Sequence, residues 1–551
     1  MPGVPTTVGQ LLDEAPTGRF HRRAVLVSGM GFFSDAYDLF VISTVAVLVK
    51  GQWGLSSTET SWVAGSAILG AFIGAMVFGR FADAVGRRRV YFVVAVVMIA
   101  GALASAAAPG FAWLVVARFV LGLGIGGDYP VSAVLMSEYA NRQDRWKLVG
   151  LVFSTQAAGL VIGPLVAIAL LGSGMPHDVV WRVLLGLGAV PAAAVVYLRS
   201  KMPESPRFRA LADGVSAEEM RQILDGRGAA VPRPADGLAA SAPAVLRVVP
   251  DLVPDPAPDA VPGLEAGSAP DDASRGESGS EPEPATAPDP GSAPGSGAGA
   301  AAATGLRALV SDRRILGIAI ATAGTWFLFD YAYYGNTLSL PAILKAVDPG
   351  ASLITNLALS LAMFIAFAVP GYLLAVLRMD RVGHRRLQLL GFAVMAASFL
   401  ALGVVPVLTS VVGAFLAVFG LSYFFIEFGP NTTTFVLPSE LFPTRLRTTG
   451  HGTAAGIGKL GAFIGVFLVP VLQSAIGLRG MLLVAGGASV AGYLLTRRLP
   501  EPSGRSLEEV SGEAPVLLAT VKAQSPLAGD AATSPSGPEG RRKQGLFAQA
   551  D

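Results

Sequence analysis

The chain has 551 residues, of which 52% are hydrophobic and 15% charged, with a net charge of +2 and no cysteine. A soluble globule of this make-up would expose far too much apolar surface, and the charge balance points to neither nucleic acid nor an acidic ligand. The missing cysteine removes disulfides, thiolate nucleophiles and thiolate metal sites, and the four histidines, His21, His177, His384 and His451, are too scattered to form a readable metal cluster.

Arg19, Arg22 and Arg23 precede an apolar stretch that contains acids and lacks a small-residue cleavage pattern, which predicts a retained first span rather than a signal peptide. A bilayer core needs about 20 mostly apolar residues per helix, and that ruler gives six spans at roughly 24–49, 62–82, 90–108, 112–138, 147–171 and 182–199. Residues 210–308 are rich in Ala, Pro, Gly, Ser and Asp. Such a composition cannot bury enough apolar surface to offset ordering entropy, so a disordered tether is expected. Six further spans follow at roughly 315–345, 356–378, 387–407, 409–437, 452–475 and 478–497. The stretch 501–551 is polar apart from a helical-looking run from Leu507 to Val510, and all of it is expected to be a disordered tail with no core role. The expected fold is all-α, with twelve transmembrane helices in two bundles spanning 1–209 and 309–500. Basic residues in the short loops, among them Arg88, Arg89, Arg142, Arg385, Arg386 and Arg445, place those loops, both termini and the tether in the cytoplasm.

The halves repeat each other. Asp83-Ala-Val-Gly86-Arg87-Arg88-Arg89 returns as Asp380-Arg-Val-Gly383-His384-Arg385-Arg386, and Gly127-Asp128-Tyr129, Ser137-Glu138 and Arg145 return as Gly429-Pro430-Asn431, Ser439-Glu440 and Arg447. Pseudo-symmetric halves are a transporter signature, with the substrate site near the bilayer midplane where they meet.

Several polar residues fall inside spans. Asp35 and Asp38, three apart in the first, share a helix face. A charge at a helix centre costs roughly 2.5–3.5 kcal/mol on insertion scales, so such acids mark function, with proton carriage the first candidate, unless they anchor the helix near an interface. Asp128 and Tyr129 close the run Gly122-Leu-Gly124-Ile-Gly126-Gly127, which also fits GxGxxG. A dinucleotide site needs that motif between a strand and a helix, so close helix packing is the better account. Trp326, Asp330 and Tyr334 recur every four residues and form one stripe on the seventh span. Asn431 and Lys459 follow in the tenth and eleventh, and Gln156 occupies nearly the place in the first half that Lys459 holds in the second. The Lys459 ammonium needs an anion, supplied either by Glu427, four residues before Asn431, or by cargo. At the loop after the second span, Asp83 is placed to pair with a cation such as Arg118 and lock one state. The arginines from Arg87 on also serve topology.

The loop pattern of residues 79–89 resembles the major facilitator superfamily, and Pro203-Glu-Ser-Pro-Arg207 resembles its sugar-porter-like branches. Gly31-Phe-Phe-Ser-Asp35-Ala-Tyr-Asp38-Leu-Phe, Gly126-Gly-Asp128-Tyr-Pro130-Val-Ser and Gly429-Pro-Asn431-Thr-Thr-Thr-Phe435 together resemble the phosphate:proton symporters. The resemblance implies that Tyr129, Gln156, Trp326, Asp330, Tyr334, Asn431 and Lys459 contact inorganic phosphate and that Asp35, Asp38 and Asp128 serve proton movement; a single chain is expected to be functional. Asp83, Arg87 and Arg118 are the gating candidates. A proton-coupled sugar or organic-acid carrier and a non-transporting nutrient receptor are the alternatives. No catalytic constellation is readable, no cofactor or metal is expected, and a bacterial inner membrane is the expected location.

Overall fold

The computed structural model of the protein describes residues 13–14, 17–200, 202, 204–205, 207–208 and 306–513. Most of the expected tether and the tail beyond 513 lie outside these residues. Six long helices form the first bundle: α1 (Arg19–Trp53), α2 (Ser57–Val85), α3 (Arg87–Ala106), α4 (Phe111–Tyr139), α5 (Arg145–Gly172) and α6 (His177–Ser200). The second contains α7 (Arg313–Leu338), α8 (Leu353–Met379), α9 (His384–Val404) and α10 (Val412–Leu441). The last long helix, Arg447–Thr496, is broken by Gly477 at φ 70°, ψ 173°, a left-handed backbone that glycine adopts without strain. It is therefore two spans, α11 (447–476) and α12 (478–496), which makes twelve, and no strand occurs among the described residues.

The seventh span is shorter than its hydropathy suggests. α7 stops at Leu338, and a separate helix, Leu340–Val347, starts with Pro341 in its first turn, a position that tolerates the missing N–H.

Small residues set how closely the helices approach. A Cβ on Gly122 would lie 1.9 Å from the Ala67 carbonyl oxygen and one on Gly126 would lie 2.0 Å from that of Ala71, so α2 and α4 touch backbone to backbone. The GxGxxG run therefore lies within a helix and serves packing, as the sequence reading preferred. Large apolar side chains remain on the outer surface, among them Val116 at 62% and Leu377 at 66% exposure, where lipid rather than water is the compatible solvent.

Proline shapes the helices around the centre. Pro430 has no N–H to donate back along α10, and the ladder widens there into a π-turn over Glu427–Asn431. The Thr432 hydroxyl donates to the Glu427 carbonyl at 2.7 Å.

At the end carrying the arginine-rich loops, both halves use one device. Glu204 accepts the backbone N–H groups of Arg87 and Arg88 at 2.9 and 3.2 Å, and Glu501 accepts those of His384 and Arg385 at 2.9 and 3.1 Å. A carboxylate at each helix N-terminus meets the positive end of the dipole. Just beyond, α13 (Leu507–Ser511) packs onto the bundle with Leu507 and Val510 buried. The sequence expectation of no core role for this run is thus corrected: two apolar residues in one turn carry too little periodicity to signal burial. The part of the expected tail beyond 513 lies outside the described residues.

Candidate functional site

Where the halves meet, the residues singled out in the sequence converge. The α7–α11 contact is tight, because Cβ atoms on Gly461 and Gly465 would each lie 2.3 Å from the carbonyls of Phe327 and Tyr331. This brings Lys459 against the α7 stripe. Its ammonium donates to Asp330 at 3.3 Å and to the Tyr334 hydroxyl at 2.8 Å, and lies 4.6 Å from the centre of the Tyr129 ring. Lys459 therefore pairs with Asp330, and the alternative partner Glu427 is engaged elsewhere.

From α4, Tyr129 donates to Asp35 at 2.5 Å, and the Gln156 amide donates to the Tyr129 oxygen at 3.0 Å. Gln156 sits just past a break in α5 at Thr155, whose hydroxyl bonds the Gly29 carbonyl at 2.6 Å and fixes the bend against α1. Across the interface, Tyr372 of α8 donates to the Gln156 carbonyl oxygen at 3.2 Å and accepts from Asn431 at 2.7 Å. The Asn431 amide also donates to Glu427. Trp326 closes the cluster, with its ring centre 6.3 Å from that of Tyr129 and 6.4 Å from that of Phe435. Tyr129, Gln156, Trp326, Asp330, Tyr334, Asn431, Lys459 and Asp35 are all buried. An ammonium, phenol, indole and amide donors, and a carboxylate able to accept a proton-bearing oxygen suit a tetrahedral oxyanion.

Asp38 and Asp128 lie outside this cluster, each held by an arginine. Arg118 contacts both oxygens of Asp38 at 2.7 Å, while Arg199 contacts those of Asp128 at 2.7 and 3.2 Å and stacks on Tyr91. Asp35 has no cation within ion-pair distance among the described residues, and its Oδ1 lacks a hydrogen-bond partner.

The expected Asp83–Arg118 lock does not form. α2 and α4 run in parallel, with Ala67 opposite Gly122 and Ala71 opposite Gly126, a register that puts Asp83 beside Glu138 and leaves Arg118 roughly 30 Å away at 1.5 Å per residue. Asp83 instead pairs with Arg87 at 2.9 Å and accepts from the Thr449 backbone and hydroxyl at 2.6 and 2.7 Å. Glu138 joins Arg87 at 3.5 Å to Arg447 at 3.3 Å, and the Ser137 hydroxyl reaches the Ser439 carbonyl at 3.4 Å. These contacts tie the halves together at the arginine-loop end. At the opposite end, Phe40 and Phe364 meet edge to face at 5.8 Å beside a shallow recess lined by Ser43, Thr337 and Leu340.

Sequence reasoning missed Tyr372, Arg199 and the joint role of Glu138 and Arg447. Arg199 at the end of the sixth span was a readable signal, and Glu138 and Arg447 stood inside the repeated motif. Nothing local marks Tyr372.

Residues 28–466 match the sequence profile described as Major Facilitator Superfamily. The chain is 33% identical over 555 residues to "Inorganic phosphate transporter 1-11" of Oryza sativa subsp. japonica, covering 91% of this chain and 89% of that protein. It is also 33% identical to "Probable inorganic phosphate transporter 1-6" of Arabidopsis thaliana, over 91% of this chain and 95% of that one. Among solved structures, the proton:xylose symporter XylE of E. coli superposes with a TM-score of 0.67 at 18% identity, covering 90% of this chain and 98% of that one, a likeness of fold.

Proposed function

Because the chain belongs to the Major Facilitator Superfamily and, within it, to the family of inorganic phosphate transporters, we propose that it imports inorganic phosphate together with protons by alternating access. It is a transporter and not an enzyme. The observation that carries the reading is Lys459, a buried ammonium shared between Asp330 and Tyr334 at the contact of the two bundles.

Phosphate entering from the end opposite the arginine-rich loops takes the place of Asp330 as the principal partner of Lys459. Tyr129, Trp326, Tyr334, Gln156 and Asn431 turn their donors to its oxygens, and Asp330 accepts from a proton-bearing one. An added anion in a low-dielectric cavity is tolerated only if charge is compensated. Asp35 supplies that compensation by accepting a proton, since no cation lies within ion-pair distance of it. Asp38 and Asp128, each clamped by an arginine, hold α1, α4 and α6 in register and tie proton occupancy to helix position.

The halves then rock and the Asp83–Arg87–Glu138–Arg447 cluster parts. Phosphate and proton leave on the cytoplasmic side, where the arginine-rich loops and both termini lie. A single chain contains the whole path, and the bacterial inner membrane is its location. Uptake of labelled phosphate into proteoliposomes, competed with excess xylose, citrate or unlabelled phosphate, tests the cargo. Only phosphate should compete, and competition by a sugar or organic acid would redirect the assignment.

A further inference from the structure

Glu427 belongs to no part of the reading above. By the repeat that matches Gly429 to Gly127 its counterpart in the first half is Ile125, so the duplication of the halves does not account for an acid here. It begins the π-turn of α10 and is fully buried.

The other membrane-embedded carboxylates of the polar interior show how this protein neutralises an acid. Asp38 has Arg118, Asp83 has Arg87, Asp128 has Arg199, Glu138 has Arg87 and Arg447, and Asp330 has Lys459, while Glu440 faces the His384 imidazole at 3.1 Å, a cation only when protonated. Among the described residues, Asp35 and Glu427 have no such cation. Around Glu427, α7 presents Tyr333, α8 presents Gly371 and Tyr372, and α10 itself presents Tyr423 and Asn431. α9 contributes Gly391, packed on Gly429 and Pro430, and its ionisable residues His384, Arg385 and Arg386 sit at the arginine-loop end. Asn431 donates to Oε2, while Oε1 has no well-aligned donor.

These two acids are the ends of one hydrogen-bonded chain that crosses the halves: Asp35, Tyr129, Gln156, Tyr372, Asn431, Glu427. Its donors run consistently. Tyr129 donates a hydrogen bond to Asp35, Gln156 donates to Tyr129, Tyr372 donates to Gln156, and Asn431 donates to both Tyr372 and Glu427, so both terminal carboxyls act as acceptors.

We infer that Glu427 is a second proton-binding site, one that fills when phosphate binds, so that each phosphate is accompanied by the proton on Asp35 and another on Glu427. The inference rests on the proposed phosphate site. Asn431 cannot turn its amide to phosphate and keep both present donations. Once it turns, Glu427 keeps only the Tyr333 and Tyr372 hydroxyls beside it as a new anion arrives nearby, and a buried carboxylate that has lost its aligned donor and has no cation is relieved by taking a proton from the open side. Linkage makes the effect reciprocal: a proton on Glu427 frees Asn431 for phosphate.

The test compares wild type, Glu427→Gln, which keeps the shape and an acceptor for Asn431, and Glu427→Asp. Protons moved per phosphate are counted in proteoliposomes. Protons taken up on phosphate binding are counted separately in detergent, by calorimetric titration in buffers of different ionisation enthalpy. Glu427→Gln should still bind phosphate but take up about one proton fewer per phosphate than wild type, while Glu427→Asp keeps the wild-type count. An unchanged count in Glu427→Gln overturns the inference. A wild type that binds phosphate without moving it overturns the transport reading and leaves the binding count to decide on Glu427. A wild type that binds none overturns both.

Discussion

Lys459 donates to Asp330 at 3.3 Å across the α7–α11 contact, so the central ammonium is neutralised by an acid that an arriving anion must displace. Asp330 is thus a competitor of the cargo before it binds and an acceptor for it afterwards.

Removing one member of a buried pair strands the other charge, at a cost of roughly 3–5 kcal/mol. Lys459→Ala and Asp330→Asn should each lower the thermal midpoint in detergent. Lys459→Ala should also weaken phosphate binding roughly tenfold to a hundredfold, the loss of a charge-assisted hydrogen bond worth roughly 1.5–3 kcal/mol. Phosphate-induced stabilisation in thermal melts reads both effects.

Asp35 and Asp38, three residues apart, should respond differently to amidation. Asp35→Asn removes an acid with no cation within ion-pair distance and should sharply reduce proton-driven accumulation, leaving only the proton on Glu427 coupled, while sparing phosphate exchange across the membrane. Asp38→Asn strands Arg118 and should first cost stability and yield, roughly 3–5 kcal/mol. Adding Arg118→Gln should recover the fold. Exchange and gradient-driven uptake, measured side by side with expression, separate the two.

The Glu138 bridge between Arg87 and Arg447 should hold the arginine-loop end shut. The chain has no cysteine, so Ser137→Cys supplies a single thiol at a buried position beside Ser439. Adding Glu138→Gln should speed its modification by a soluble maleimide about tenfold, the factor that roughly 1.4 kcal/mol corresponds to. Unaltered labelling would remove the bridge from the gate.

α13 makes a pH-dependent contribution whose sign is fixed. Burial alone would push the Glu508 carboxyl up, but Arg207, 3.1 Å away, and Arg447 outweigh it and hold it below its ordinary value. A depressed acid stabilises the folded state above its unfolded value, roughly 4.3, and that stabilisation is lost as pH falls through the folded value. The melting difference between wild type and Glu508→Gln should be constant near neutrality and shrink in acid. Leu507→Ala should cost roughly 2 kcal/mol at any pH, because it leaves a cavity.

The spans, the repeat and the central polar residues were legible because each is a local pattern: a run of apolar residues, a motif read twice, or a costly polar group where lipid demands none. Lys459, Asp330 and Asn431 announce themselves in this way. Partner choice was not legible. Arg118 qualifies as a partner of Asp83 only as a cation on a neighbouring span, yet parallel packing of α2 and α4 sends them to opposite ends. Tyr372 is an ordinary tyrosine until α8 meets α5 and α10, since a helical pattern fixes which face a side chain occupies and not what faces it. The break at Gly477 was legible as a boundary between spans, whereas the end of α7 at Leu338 was hidden by apolar residues that continue into the next short helix.

The most direct test is uptake of radiolabelled phosphate into proteoliposomes holding the purified protein, with and without an inward proton gradient, beside the Lys459→Ala variant. Accumulation above equilibrium that requires the gradient and disappears in the variant is the predicted result. Equal uptake with and without the gradient, or accumulation undiminished in Lys459→Ala, would contradict proton-coupled phosphate transport through this site.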